Sequence, residues 1–312
     1  MAPHLRFTVD DLWLFLMVNI WALNLTVLKV VFREMTPLAF NAARFTLASL
    51  VFAGLIAWLE GGRRLWIEGA DLPKVVLLGL MGHTGYQLCF VLGLHLTTAT
   101  HAGLIFGTTP LVIAVLSTLK GHERLAWPIW AGLASSATGV ILTVSGRQVQ
   151  GGRALSTLGG DALLLLAVLL WALYTVHSKP MLGRYSPLRL TGLSMIAGTV
   201  PLVLIALPAC GRLDWGAVGW LSWGGLGYSA FLAVVLSYLI WYRSVARVGS
   251  ARTAVYGNLV PVLGPLFAVW LLREPLTGQL ALGGGCIVTG IILTRVRVHR
   301  PAAPLPRAEF SV

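Results

Sequence analysis

Three polar residues interrupt an apolar run in the stretch GHTGYQ: His83, Tyr86 and Gln87. Spacings of three and four place them on one face of a helix. Polar groups are costly in hydrocarbon, so they face a cavity or a partner. An imidazole, a phenol and a carboxamide on one face can hydrogen-bond a small polar solute. For His83 two readings stand, a lining residue of such a path or a satisfied structural histidine. Two further apolar runs carry Trp21 and Asn24, and Trp171 and Tyr174, near their middles. These offer aromatic faces with a few hydrogen bonds. Thr108, Tyr256 and Asn258 lie beside two prolines, Pro110 and Pro261. Proline inside a helix removes one backbone hydrogen bond and bends it, here freeing the carbonyls of Phe106 and Gly257.

Three cations lie inside apolar runs or at their ends. Arg44 sits about two turns into its run, where it either pairs with Glu34 or Asp161 or meets a solute carboxylate. Lys29 and Lys179 close their helices, where a lysine complements the dipole and snorkels to the headgroups. The alternative for them is a gating or solute-binding role. Bond-breaking chemistry lacks its usual tools. There is no Gly-x-Ser-x-Gly elbow, no His-Glu-x-x-His motif and no pair of mid-run carboxylates. The three cysteines, Cys89, Cys210 and Cys286, have no metal-ligand spacing. The expectation is no enzyme, no metal and no cofactor.

The elements that must position these groups are membrane helices. The chain is 57% hydrophobic and 11% charged, with a mean hydropathy of +0.81, far from the soluble range. Ten apolar runs are long enough to span the hydrocarbon. They lie near 11–33, 36–59, 72–94, 98–119, 127–146, 160–180, 187–209, 216–243, 250–272 and 277–295. No cleavable leader is expected, the first run serving as its own insertion signal. Of the 23 Lys and Arg residues, sixteen fall on the side of both termini and five opposite, which predicts cytoplasmic termini. The net charge of +12 therefore points to membrane orientation, with no nucleic-acid partner expected.

The chain also repeats itself. WALNLTVLK at Trp21 returns as WALYTVHSK at Trp171, with Asp11 and Asp161 ten residues ahead and Thr36-Pro37 and Ser186-Pro187 behind. Later, Pro110 matches Pro261, Glu123 matches Glu274, and GVILT at Gly139 matches GIILT at Gly290. Two halves of five helices each enter the membrane from opposite sides, an inverted repeat of the kind that supports alternating access. The predicted fold is thus all-α and integral to the membrane. Residues 1–10 form a cytoplasmic N-terminus, 11–146 the first repeat, 147–159 a periplasmic linker, 160–296 the second repeat and 297–312 a basic, disordered tail.

The duplicated Trp-to-Lys segments, the Pro37 and Pro187 helix starts and the two Pro-to-Glu segments resemble the paired EamA domains of the drug/metabolite transporter superfamily, over about residues 10–296. The resemblance implies an exporter of the bacterial inner membrane, similar to ten-helix amino-acid and metabolite exporters, with multidrug or nucleoside export as the alternative. Arg44 matches the family's helix-2 arginine, whereas Ser194 stands at the second-half position. All eleven acids fall at helix ends or in loops, so no buried carboxylate is expected for ion coupling. Downhill export, His83 or counter-substrate exchange then remains. Gly132 and Gly139, with Gly283 and Gly290, leave smooth faces on helices 5 and 10, for packing within the bundle or for a homodimer. Membrane lipid and a small-molecule substrate are the other expected partners.

Overall fold

The computed structural model of the protein describes residues 9–61, 67–119, 127–145, 149–150, 153–154, 157–248, 256–257 and 259–293. Among these, ten helical spans follow in order: α1 (Val9–Val31), α2 (Pro37–Leu59), α3 (Leu72–Leu96), α4 (Ala99–Phe106 and Thr109–Leu119), α5 (Trp127–Ser145), α6 (Leu158–Ser178), α7 (Pro187–Arg212), α8 (Trp220–Gly227, continuing through Tyr228–Leu236 and Ser237–Val248), α9 (Val260–Leu272) and α10 (Gly278–Leu293). A two-residue ladder, Val149–Gln150 with Arg153–Ala154, is the one strand pairing among the described residues. Six of the helices are long and apolar enough to cross a membrane by length and composition. Large apolar side chains such as Trp58, Trp127, Leu204 and Trp270 stand exposed on the outside, as lipid-facing residues do.

Local chemistry sets several starts. The Thr36 hydroxyl accepts from the Ala39 amide and the Ser186 hydroxyl from the Arg189 amide, each with proline in the first turn. Oxygen caps satisfy otherwise orphaned donors, and proline at the first position is preorganised. α4 is interrupted at Gly107–Thr108, and Pro110 opens its second half. Pro261 likewise sits in the first turn of α9. Pro110 therefore begins a half-helix, where the expectation had been a bend within a continuous one; most of the stretch ahead of Pro261 lies outside the described residues.

The helix contacts obey a two-fold relation between halves. α2 packs on α7, α4 on α9 and α5 on α10, each helix meeting its own repeat partner. Three further pairings have their counterparts: α3–α6 with α8–α1, α9–α1 with α4–α6, and α3–α7 with α8–α2. Residues related by the repeat also touch each other, which is geometrically allowed only at the axis. Ser49 and Thr199 hydroxyls lie 2.8 Å apart, Gln87 donates to the Tyr238 hydroxyl at 3.3 Å, and Ser135 donates to the Cys286 carbonyl at 2.8 Å.

The glycines of α5 and α10 serve this pairing. A Cβ on Gly139 would meet the Gly283 carbonyl at 2.5 Å, and one on Gly290 the Gly132 carbonyl at 2.5 Å. Small residues let helix backbones approach where no hydrophobic drive exists between them. These faces are consumed inside the chain, so they are not available to a second copy. A homodimer through α5 and α10 would have to use their outer faces, where Trp130, Ile141 and Leu282 are exposed.

Two segments depart from α geometry. Leu80–Gly85 in α3 and Tyr228–Leu236 in α8 are π-helical, and the repeat offset of 151 seen between Gln87 and Tyr238 brings the first into the second. π-turns are rare and free a backbone carbonyl from the regular ladder. In α8 the Trp21 indole uses that chance, donating to the Ala233 carbonyl at 2.9 Å.

Candidate functional site

A cavity lies on the two-fold axis in the middle of the bundle. Its walls are Trp21, Asn24 and Leu25 of α1, Arg44 of α2, Tyr86, Gln87 and Phe90 of α3, Phe106, Thr109, Pro110 and Ile113 of α4, Trp171 of α6, Ala233, Val234, Tyr238 and Trp241 of α8, and Gly257 and Val260. On α1, α2, α3 and α6 the outermost wall residues still lie six or more positions from the nearer end, about 9 Å along the axis.

Aromatic rings make most of the wall. Trp21 and Trp171 meet edge to face at 6.1 Å, Trp171 lies 5.1 Å from Tyr86 and 5.4 Å from Tyr238, and Phe90 meets Phe106 at 5.5 Å. Such pairs are worth about 0.5–1.5 kcal/mol beyond burial, so the wall keeps its shape without a ligand.

The polar part is asymmetric. Arg44 is 1% exposed, and its guanidinium donates to Gln87 Oε1 at 2.5 Å, Asn41 Oδ1 at 2.6 Å and Ser229 Oγ at 3.1 Å. The rings of Phe40, Phe45 and Phe90 lie 5.1 to 5.9 Å from it. No carboxylate among the described residues pairs with it. The expected partners are engaged elsewhere, Glu34 accepting from the Gly219 amide and Asp161 from Thr97. Burying a guanidinium costs several kcal/mol unless an anion compensates, and neutral acceptors with cation–π contacts of about 1–2 kcal/mol return part of that. Arg44 Nε, Asn24 Oδ1 and Trp241 Nε1 are buried without partners. Asn24 thus presents a free acceptor, and Trp241 a free donor, from residues that line the cavity.

The other sequence candidates divide. Trp21, Asn24, Tyr86, Gln87, Pro110, Trp171 and Arg44 line the cavity. His83 and Tyr174 do not: fully buried behind the wall, His83 Nε2 lies 3.2 Å from both Tyr174 Oη and Ser194 Oγ. The cavity-lining reading of His83 is corrected to a cross-half hydrogen bond between α3, α6 and α7, with Ser194 occupying the place of a second arginine. Thr108 turns its hydroxyl back to the Ile105 carbonyl at 2.7 Å, satisfying the break in α4, and Thr109 faces the cavity instead. Pro261 packs against Gly107. Tyr256 donates to Asp11 at 2.7 Å. Lys29 reaches the His95 carbonyl at 3.5 Å and Lys179 is exposed in the turn after α6, both away from the cavity. Asn258, Glu123 and the basic tail lie outside the described residues.

A second correction concerns the acids. Asp11 and Asp161 do occupy first helical turns, but they are 5% and 1% exposed, so buried carboxylates exist. Glu274 accepts from the Ala99 and Thr100 amides at 2.9 Å and caps α4.

The family model for the EamA-like transporter family matches residues 9–145 and 158–296, one copy for each half. The chain belongs to the EamA family. An Archaeoglobus fulgidus protein named only as a transporter is 30% identical over 90% of this chain and 95% of its own. A Streptantibioticus cattleyicolor protein named a probable terminal-alkyne amino-acid exporter is 29% identical over 89% and 93%. An Escherichia coli protein named a probable amino-acid metabolite efflux pump is 27% identical over 91% and 94%. The chain is thus a multi-pass membrane transporter, built, like the EamA match, from two repeats. Residues of both halves line the central cavity.

Proposed function

We propose that the protein exports small amphipathic metabolites, foremost amino acids including aromatic ones, from the cytoplasm across the bacterial inner membrane by alternating access. The observation that carries the proposal is Arg44, a buried guanidinium at the wall of an aromatic cavity with no carboxylate among the described residues to neutralise it. A solute carboxylate supplies the missing charge, and charge-assisted bonds of that kind are the strong ones. Asn24 Oδ1, an unpartnered acceptor, suits an ammonium group. The tryptophan and tyrosine rings suit an apolar or aromatic side chain. Two relatives named for amino-acid export favour the same class. The excess of basic residues on the side of both termini supports cytoplasmic ends.

Counterflow of labelled solute into proteoliposomes tests the proposal across amino acids, nucleosides and cationic drugs. Accumulation of aromatic and other apolar amino acids is expected. Accumulation of nucleosides or cations without amino acids would overturn it.

A further inference from the structure

We propose that Tyr238 is a second carboxylate donor of the cavity, so that a solute carboxylate bridges Arg44 of the first half and the Tyr238 hydroxyl of the second. The inference rests on the export reading above for the solute class. It adds a residue that helical spacing did not single out, and the direction of its proton.

Chemistry fixes the hydrogen-bond directions around Arg44. A guanidinium has N–H donors and no acceptor. The carboxamides of Asn41 and Gln87 must therefore turn their oxygens to it, and both do, at 2.6 and 2.5 Å. Each then directs its NH2 group away from the cation. That of Gln87 meets the Tyr238 hydroxyl at 3.3 Å, and an amide nitrogen only donates. The phenol oxygen accepts, so its own proton is left to donate elsewhere.

Among the described residues nothing takes that proton, Gln87 being the one hydrogen-bond partner of the Tyr238 hydroxyl. The His83 ring lies 6.0 Å from that of Tyr238, but its Nε2 faces Tyr174 and Ser194 and its Nδ1 has no partner. Asn41 Nδ2 and Arg44 Nε are likewise buried without acceptors. Donors thus outnumber acceptors around Arg44, and the group that suits such a place only accepts, as an ionised carboxylate does. Arg44, Gln87 and Tyr238 line the cavity, whereas Asn41 does not. A carboxylate is a planar group of the same shape as the Gln87 carboxamide, which already spans the two. It can take an Arg44 N–H at one oxygen and the Tyr238 O–H at the other.

The bridge joins the halves at their axis, because Gln87 and Tyr238 are repeat mates 151 positions apart. The Tyr238 ring is held apart from its hydroxyl, by edge contacts with Trp21 at 6.3 Å and a tilted one with Trp171 at 5.4 Å. Tyr238→Phe therefore keeps the wall and removes the donor.

The test is counterflow of labelled phenylalanine in proteoliposomes, competed by phenylalanine and by phenethylamine, which lacks the carboxylate. The preference for the amino acid should fall roughly tenfold in Tyr238→Phe, the size of one charge-assisted bond. It should hold in Tyr86→Phe, which removes the other phenol of α3 and α8 on the wall. Damage to the cavity at large would weaken both competitors alike and leave their ratio unchanged, which overturns the proposal, as does a fall in Tyr86→Phe alone. Two further chains guard against a Tyr238→Phe protein that does not fold. O-methyltyrosine at position 238 keeps an oxygen for Gln87 without the proton and should lose the preference, whereas 4-aminophenylalanine supplies an N–H donor and should keep most of it. The opposite order overturns the proposal. Parental phenylalanine counterflow with an unchanged ratio in Tyr238→Phe refutes the second donor alone, and a parent that fails to move phenylalanine refutes the export reading and the bridge together.

Discussion

Trp21 and Trp171, 150 residues apart by the repeat, touch each other edge to face at 6.1 Å. Residues related by a two-fold axis can meet only on it, so this contact places the axis inside the cavity wall. The pair is equal in sequence and unequal in bonding, because Trp21 alone carries a resolved bond to the π-helical Ala233 carbonyl at 2.9 Å. Trp21→Phe keeps the ring contact and removes that donor. The expected loss is about 1 kcal/mol, a fall of roughly 2 °C in the thermal midpoint of detergent-solubilised protein. An unchanged midpoint would show that the π-turn does not depend on the indole.

Pro110 lies at the start of the second half of α4 and lines the cavity, and Pro261 lies in the first turn of α9, seated against Gly107. Replacing either by alanine lets the preceding turn regain a regular helical bond and should bias the carrier toward one face. Pro110→Ala and Pro261→Ala should each slow turnover more than they weaken binding. Accessibility of cavity cysteines should shift toward opposite sides in the two variants, and normal transport with unchanged accessibility in both would reduce the prolines to packing.

Asp71 ties the loop before α3 to the turn after α6. Burial favours its neutral form, yet hydrogen bonds from Lys74 and Tyr185 and the charge of Arg184 hold it below the usual carboxylate range. A carboxyl lowered in the folded state stabilises above its unfolded value, about 3.9, and that contribution disappears as pH falls through the lowered one. Asp71→Asn should therefore be less heat-stable than the parent at neutral pH, with the difference shrinking toward about pH 3. A difference that stays constant with pH would mean that packing, and not charge, supplies the tie.

Orientation is open to labelling from outside in a cysteine-free background. Gly152→Cys should react and Leu305→Cys should not, given the sorting of basic residues to the side of both termini. The reverse pattern would invert the proposed direction.

Much of the fold was legible because it rests on apolar run length and on a repeat with fixed offsets. The site was legible in part. Trp21, Trp171, Tyr86 and Gln87 could be placed from helical spacing, but the same spacing misplaced His83. A wheel of 3.6 residues per turn cannot register the π-turn at Leu80–Gly85, which changes the phase between His83 and Tyr86. Asp161 was read as a helix-end acid within reach of Arg44; its burial comes from the meeting of α3, α4 and α6, and His101, whose Nδ1 lies 3.3 Å from its carboxylate, is 60 positions away. The one sequence signal was an acid placed alike before both tryptophan segments. Arg44 gave the opposite error: two acids seemed near enough to pair, and both are bonded elsewhere.

The central claim is that Arg44 holds a solute carboxylate in an aromatic cavity. It is tested most directly by counterflow of labelled phenylalanine in proteoliposomes, competed by phenylalanine and by its decarboxylated amine, phenethylamine, in parent and Arg44→Gln. Loss of a charge-assisted bond costs about 1.5–3 kcal/mol, so phenylalanine should compete roughly 10- to 100-fold better than the amine in the parent, and that advantage should vanish in Arg44→Gln. Equal competition by both in the parent, or an undiminished preference in a folded Arg44→Gln protein, would contradict the account.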